Sequence, residues 1–580
     1  MQSISRYFLD PNPFSKRDFK RDVVFWFFVA LLWFWWGAGN HGLWDRDEPR
    51  YAVATAEMLR TGDWIVPMLN GRVRYDKPVL IYWLMAMPMA VLGPTEFAAR
   101  FWSGIGGALQ GVIILGFARS LGFAKGAARL CALLLVGCFL TNLVSRASTI
   151  DGVLIPLITA LVWLFWRIRT SEKYPWGLVL LFWAGFAAAV LLKGPPAPMV
   201  LGSLWFSLAL FGRRQVSYSG IWSLSGIPPR VRIAGTLMGF AVFLLLALPW
   251  AVAVSVATGG EFLDVSIGRH VVERSSSAMD GHAGPIFYYI PALFLNLLPF
   301  TPIGLVGLAW AWKNRRDPLC LFLLCWLLPT FLILSVVKTK LPHYLGPAIP
   351  AVVLMAGAWW NHRLLNPLPR EAFRRTRIGG AILIFLLGAG VLGFAAYIPW
   401  KYYELGAAVV FLAFVTLLLL GVSLVSGGIF WLRQRTIAAL AFWTLGWVTF
   451  VVILIHVTLP SIEPLRPSKN LIQVIRSRTP ADTQILLDRW KEQSLYFYAQ
   501  DYVTFVPHNA PGALEMLDTP GRSRVLIVPR REWDHWMTKL KNPVDEAEYL
   551  LHEERYFEPN KGRWITLMVL WNGWTHQSTE

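Results

Sequence analysis

The sequence predicts a polytopic α-helical membrane protein with a small soluble α/β domain at its C-terminal end. Three observations carry this prediction. The 580 residues are 55% hydrophobic and 15% charged, and the mean hydropathy of +0.48 fits no soluble globular chain. Apolar runs long enough to cross a bilayer recur from residue 23 to about 458. After Leu459 the composition turns to that of a soluble domain, in which short β-branched runs alternate with helical stretches.

Taken in order, the first run (Val23 to Ala38) is too long and too rich in Trp for a cleavable signal, and no small-residue cleavage site follows it. Lys16 to Arg21 precede it, which predicts a cytoplasmic N-terminus. Further spans are expected near 99–117, 129–145, 151–166, 176–193, 196–212, 233–257, 285–311, 318–337, 344–360, 379–399, 406–430 and 437–458. The run Val79 to Leu92 is shorter than a span needs and contains Pro88. If it does not span, most Lys and Arg fall in the loops on the cytoplasmic side; if it does, the bias inverts. The positive-inside rule therefore favours about thirteen spans, with 79–92 lying along the outer surface. The membrane domain is then 1–458, with an outer juxtamembrane loop at 41–98, and 459–580 is a periplasmic domain.

Within that domain "SKNLIQVIRSR" reads as a helix capped by Ser468. "QILLD", "VTFVP", "RVLIVP" and "WITLMVLWN" read as strands. The net charge of +19 is spread over short loops between helices, as expected of a membrane protein rather than of a nucleic-acid binder. Cys131, Cys138, Cys320 and Cys325 lie in apolar runs with no His or Asp close by, and read as core residues.

Polar residues gather at the outer ends of the spans. They are Asp45, Asp47, Glu48, Arg50, Tyr51 and Glu57, then Arg74, Tyr75, Asp76 and Lys77 in "RYDKP". Arg146 and Asp151 follow in "RASTIDG", and Lys193 in "LLKGP". The 258–284 loop adds Arg269, His270, Glu273, Arg274 and His282, and "KTKLPHY" adds Lys338, Lys340, His343 and Tyr344. Ionisable groups at membrane depth are costly and mark a functional site, although each one singly reads equally well as an interfacial anchor. Lys, Arg and Tyr donors suit a phosphate, and a carboxylate beside them suits a general base or a hydroxyl orienter. Asp45-Arg46-Asp47 offers two hard oxygen ligands to a divalent cation, but Asp45 and Glu48 read equally well as surface partners of Arg46 and Arg50. Asp76 with His270 is a metal pair that falls short of the usual three or four ligands.

"DEPRYAVATAEMLRTGDWIVPMLNG" followed by "RYDKPVLIYWL" resembles the bacterial aminoarabinose transferases, within the GT-C polyprenyl-phosphate glycosyltransferases. The likeness continues through "ASTIDG", "LLKGP", "HVVER", "PIFYYIP" and "KLPHYLGPAIPA" in the same order. It implies a GT-C fold of thirteen spans and an inverting transfer of a sugar from undecaprenyl phosphate to a periplasmic acceptor such as a lipid A phosphate. It further implies Asp47 and Asp151 as the catalytic acids, and Arg50 and Tyr51 as parts of the Asp47 motif. Lys77, Arg274 and Tyr344 occupy places that bind the donor phosphate, with Lys340 nearby in the same motif. Asp76 and His270 resemble a pair that holds a metal, so a divalent ion is the one cofactor the likeness allows. Asp76 replaces the more usual Glu, Arg74 stands where a Tyr is common, and the His270-to-Arg274 step does not align cleanly. The implied setting is the bacterial inner membrane with the site on the periplasmic side. The partners are a polyprenyl-phosphate sugar and a lipid or protein acceptor, and no nucleic acid. The rivals are a protein O-glycosyltransferase and, from another class, a secondary transporter. The transporter would place charged residues at mid-span in pseudo-symmetric halves, and the sequence shows neither.

Overall fold

The computed structural model describes residues 2–45, 47–211, 228–268, 284–366, 374–488, 490–540, 544–558 and 563–573. Each expected spanning segment falls on a helix or a bent helix pair. Among the described residues, 8 helices are long and apolar enough to cross a membrane, or up to 10 if each bent pair is one crossing. Lys16–Trp35, Pro196–Phe211 and Ile349–Leu365 account for the other expected segments. The chain is a multi-pass membrane protein. Its outer helix faces keep Leu245, Val336, Phe411 and Leu445 exposed, as side chains that meet lipid rather than a core. All four cysteines are buried and free, as expected of core residues.

The two bends meet each other. Lys125–Gly137 and Phe139–Arg146 are bent by 55°, and Tyr289–Asn296 and Thr301–Lys313 by 118°. A break leaves backbone amides without helical partners. Here the Phe139 amide donates to the Leu298 carbonyl at 2.7 Å, so one break serves the other.

Between the first two spans lie helix Asp47–Thr61, the hairpin β1 (Met68–Leu69) and β2 (Arg72–Val73), and helix Leu80–Leu92. At 1.5 Å per residue the 13 residues of Leu80–Leu92 reach only about 20 Å, short of the roughly 30 Å hydrocarbon core. Its Met87 and Val91 are exposed, and the Trp83 indole donates to the Trp64 carbonyl at 2.9 Å. Trp at this level suits an interfacial helix.

The C-terminal domain carries a five-stranded sheet in the order β4-β3-β5-β7-β6. The strands are β3 (Gln484–Leu487), β4 (Val503–Phe505), β5 (Arg524–Pro529), β6 (Leu550–Glu558) and β7 (Arg563–Trp571). β3 pairs in parallel with β4 and β5, whereas β7 pairs antiparallel with β5 and β6. β6 was not among the expected strands, because "LLHEERYFE" is charged at its centre and those residues face solvent. The helix expected to start at Ser468 is Pro467–Arg478, with Arg466 at the cap. Pro467 pre-sets the first helical φ, and the Ser468 hydroxyl turns instead to the Ser494 hydroxyl at 2.7 Å.

Candidate active site

Helix Asp47–Thr61 is fixed at its start by a buried knot. Glu48 is 4% exposed and Arg100 1%. Arg100 Nε donates to Glu48 Oε1 at 2.8 Å and Nη2 to Oε2 at 2.8 Å, and its remaining donors reach the Ala38, His41 and Gly42 carbonyls. The Trp44 and Ser148 amides complete the Glu48 carboxylate. A buried ion pair is favourable only when its lone pairs and protons are satisfied in this way. Burial works against the Glu48 charge, yet the guanidinium holds its carboxyl below the ordinary range.

This overturns the reading of Asp45 and Glu48 as surface partners of Arg46 and Arg50. Glu48 belongs to Arg100. The Asp45 carboxylate enters the C-terminal domain, where it accepts from the Ser494 amide at 2.9 Å and from the Ser494 hydroxyl. Burial raises the Asp45 carboxyl above its usual range, against the pull of these donors. Arg46 lies outside the described residues.

A second set of groups converges from five segments. Gly106 and Gly152 bring two spans into backbone contact: a Cβ on Gly106 would lie 2.0 Å from the Gly152 carbonyl oxygen. That approach sets Asp151, first residue of helix Asp151–Arg169, deep in the site. Lys193 ends helix Trp176–Lys193, with Gly194 in a positive-φ turn behind it. Lys193 Nζ bonds both Asp151 carboxylate oxygens at 2.7 Å. The acid at a helix N-terminus and the cation at a C-terminus each sit on the favourable pole of their dipole. His343 Nε2 lies 3.7 Å from Asp151, and Lys77 is within electrostatic reach of it. The Pro342–Ala348 segment carrying His343 and Tyr344 is held by Asn296, which donates to the Pro342 carbonyl at 2.8 Å. The Tyr344 ring centroid is 5.3 Å from Lys193 Nζ.

The 74–78 turn brings the rest. Ser266 donates to the Tyr75 carbonyl at 2.6 Å, and the Tyr75 hydroxyl to Glu261 at 2.8 Å, which pins the turn to helix Glu261–Ile267. Arg74 is buried; its Nε donates to the Tyr82 hydroxyl at 2.9 Å, its Nη1 lies 3.2 Å from Asp76, and its guanidinium faces the Tyr51 ring. Tyr51 is buried among Arg74, Asp47, Tyr82 and Asp151, and burial raises its hydroxyl well above the usual range. Asp47 remains 63% exposed at the helix start, 3.7 Å from Arg50.

A groove of about 440 Å³ opens from Lys77 and Lys193 and runs along Phe243, Leu244, Ala247 and Leu248 of helix Pro229–Ala257. Its polar mouth and apolar length fit a phosphate on a hydrocarbon tail.

Of the expected site residues, Asp47, Arg50, Tyr51, Asp76, Lys77, Asp151 and Tyr344 fall around this centre. The Lys340 ammonium bonds the Val337 carbonyl of its own turn and is buried there. Arg274 and His270 lie outside the described residues. Among those described, no group of three or more His, Cys, Asp or Glu side chains is placed to hold a metal, and Asp76 faces Arg74. The sequence reading gave no role to Lys193, His343, Arg74 or Tyr82. Lys193, His343 and Arg74 were visible as polar residues at span ends; Tyr82 was not singled out.

A multi-pass helical domain gathers acids and lysines at one end, and a small α/β domain docks over that end. The solved structure of ArnT from Cupriavidus metallidurans in the apo state matches with a TM-score of 0.73 at 19% identity, covering 95% of this chain and 98% of that one. The same protein bound to undecaprenyl phosphate matches with a TM-score of 0.71, again at 19% identity, over 94% of this chain and 97% of that one. In sequence the chain is similar to aminoarabinose transferases. It is 30% identical over 358 residues to undecaprenyl phosphate-alpha-4-amino-4-deoxy-L-arabinose arabinosyl transferase 2 of Proteus mirabilis, covering 60% of each chain. It is 29% identical over 366 residues to the corresponding transferase of Pectobacterium atrosepticum, covering 61% of this chain and 60% of that one. The match thus spans about three fifths of these relatives' length. Residues 76–227 match the family model described as dolichyl-phosphate-mannose-protein mannosyltransferase.

Proposed function

We propose that the protein is an inverting glycosyltransferase that moves a sugar from undecaprenyl phosphate to a lipid A phosphate on the periplasmic face of the inner membrane. The observation that carries this reading is the pair of lysines, Lys77 and Lys193, at the mouth of an apolar groove. The groove takes the polyprenyl chain and the lysines take the phosphate. In the reaction the acceptor oxygen bonds to the anomeric carbon while the bond from that carbon to the phosphate oxygen breaks. The electron pair leaves on the phosphate, and charge grows where the ammonium groups stand. Asp151 holds Lys193 in place. Asp47, exposed at the start of its helix, meets the acceptor: it takes the proton of a hydroxyl, or orients a phosphate that is already ionised.

Asp76 and His270 are the residues that would hold a divalent ion, which would supply further positive charge to the leaving phosphate. Asp76 is already paired with the Arg74 guanidinium, and the steps above are assigned to the chain's own groups.

The family model over residues 76–227 supports a second reading, in which the acceptor is a protein hydroxyl. Mass spectrometry of lipid A and of periplasmic glycoproteins, from cells with and without the gene, tests both. A sugar lost from lipid A supports the first reading and one lost from protein the second; no change in either sinks the transferase.

A further inference from the structure

A second cavity, of about 360 Å³, lies where helices Asp47–Thr61 and Leu80–Leu92 meet the C-terminal domain. Glu57 is in its wall and is only 3% exposed. One carboxylate oxygen accepts the Gly71 amide at 2.9 Å, and among the described residues the carboxylate has no other hydrogen bond or ion pair. A buried acid normally has its lone pairs filled. One oxygen is therefore left to whatever enters the cavity.

The rest of the wall says what that is. Arg60 pairs with Asp501 at 3.2 Å and lies over the Tyr502 ring at 4.1 Å, so its charge is already answered. One cation against two carboxylates leaves the cavity negative, which disfavours a phosphate and favours hydroxyl or ammonium donors. Tyr496 and Tyr502 add flat aromatic lining. Aromatic faces with a carboxylate acceptor suit a pyranose, whose C–H face packs on rings while its hydroxyls donate.

We propose that this cavity binds one sugar unit of a saccharide, with a hydroxyl or amino group donating to Glu57. Glu57 lies ten residues beyond Asp47 on one helix, about 15 Å at 1.5 Å per residue. A sugar held there is remote from the reacting carbon. Resting on the transferase reading above, it is the distal part of a saccharide-bearing acceptor.

The experiment is saturation-transfer NMR on the full-length protein in nanodiscs, with methyl glucoside, glucosamine, ethanolamine and glucose 1-phosphate as probes. Both sugars without a phosphate, methyl glucoside and glucosamine, are expected to receive saturation, and glucose 1-phosphate several-fold less. Glu57→Gln weakens sugar binding at least fivefold, whereas Lys77→Ala leaves it unchanged. Ala90→Trp fills the cavity from the other helix and abolishes binding without touching Glu57. No transfer to either sugar, binding unaffected by both Glu57→Gln and Ala90→Trp, or ethanolamine binding as well as glucosamine would overturn the proposal. No donor lipid is present, so a chain without transferase activity still gives this result if the cavity reading is right.

Discussion

Asp45 in the loop after the first span caps a helix that lies 449 residues away in sequence: its carboxylate accepts the amide and hydroxyl of Ser494, at the start of helix Gln493–Ala499. Two residues later Asp47 begins the helix that leads into the site. The C-terminal domain therefore grips the segment that presents Asp47. Asp45→Ala removes a charge-assisted cap, and about 1–3 kcal/mol of stability should go with it. Turnover should fall while the donor KM holds, as read by thermal melts beside steady-state kinetics. An unchanged melting temperature and turnover would detach this contact from function.

His41 supplies the acid dependence. Burial and then the Arg100 charge lower its imidazole from 6.5 to about 4. Arg100 Nη2 lies 3.2 Å from His41 Nδ1, so a second proton on the ring would stand against the guanidinium. The unfolded chain thus binds a proton that the folded one refuses between pH 6.5 and about 4. Stability is fully present above pH 6.5 and is lost as pH falls through that window, by up to about 3 kcal/mol. His41→Gln should flatten this acid limb in melts across pH 4–8.

On the proposed mechanism Lys77→Ala and Lys193→Ala each remove a donor to the leaving phosphate, and activity should fall at least tenfold. Lys77→Arg should not restore it, because a planar fork does not replace a point charge in a confined mouth. Wild-type turnover in Lys77→Ala would remove the phosphate role.

Asp151→Asn strips Lys193 of its counter-charge and should cost about 3–5 kcal/mol. Asp151→Asn with Lys193→Met should regain much of that stability but none of the activity. A double variant that turns over would mean the pair serves only the fold.

On the proposed mechanism Asp47→Asn keeps size but loses a basic oxygen. With a hydroxyl acceptor, single-turnover rate should drop by roughly 10²–10⁴; with an ionised phosphate acceptor the loss should be much smaller. Donor binding should be kept in either case. No loss at all would take Asp47 out of the chemistry.

The helical framework was legible because lipid demands long apolar helices, and each such run is plain in the chain. The segment 79–92 was legible by charge bias alone, and it is a helix too short to span. The convergence of Asp47, Lys77, Asp151 and Tyr344 could be read from their positions at span ends. Their pairings could not. Glu48 looked like a partner for Arg50 next to it, but its partner Arg100 is brought near by the packing of Glu96–Ser120. Asp45 looked exposed because the domain that buries it lies at the other end of the chain. Arg74 stood out as a polar residue, but its burial against Tyr82 did not, since a buried guanidinium and a surface one have the same sequence. β6 was missed for a related reason: pairing with β7 along one edge makes a strand of residues whose own pattern is polar.

The hydrogen bond from Phe139 to Leu298 joins two apolar segments made far apart in time during synthesis. A backbone amide left without a partner among lipid tails costs several kcal/mol. The earlier broken segment therefore cannot settle as a finished crossing when it leaves the ribosome; it completes its bonding only when the later one arrives. Assembly in the bilayer is consequently a joint event for these two segments. A chain truncated before residue 298 would carry one unfinished crossing, a mark by which membrane quality control could recognise it.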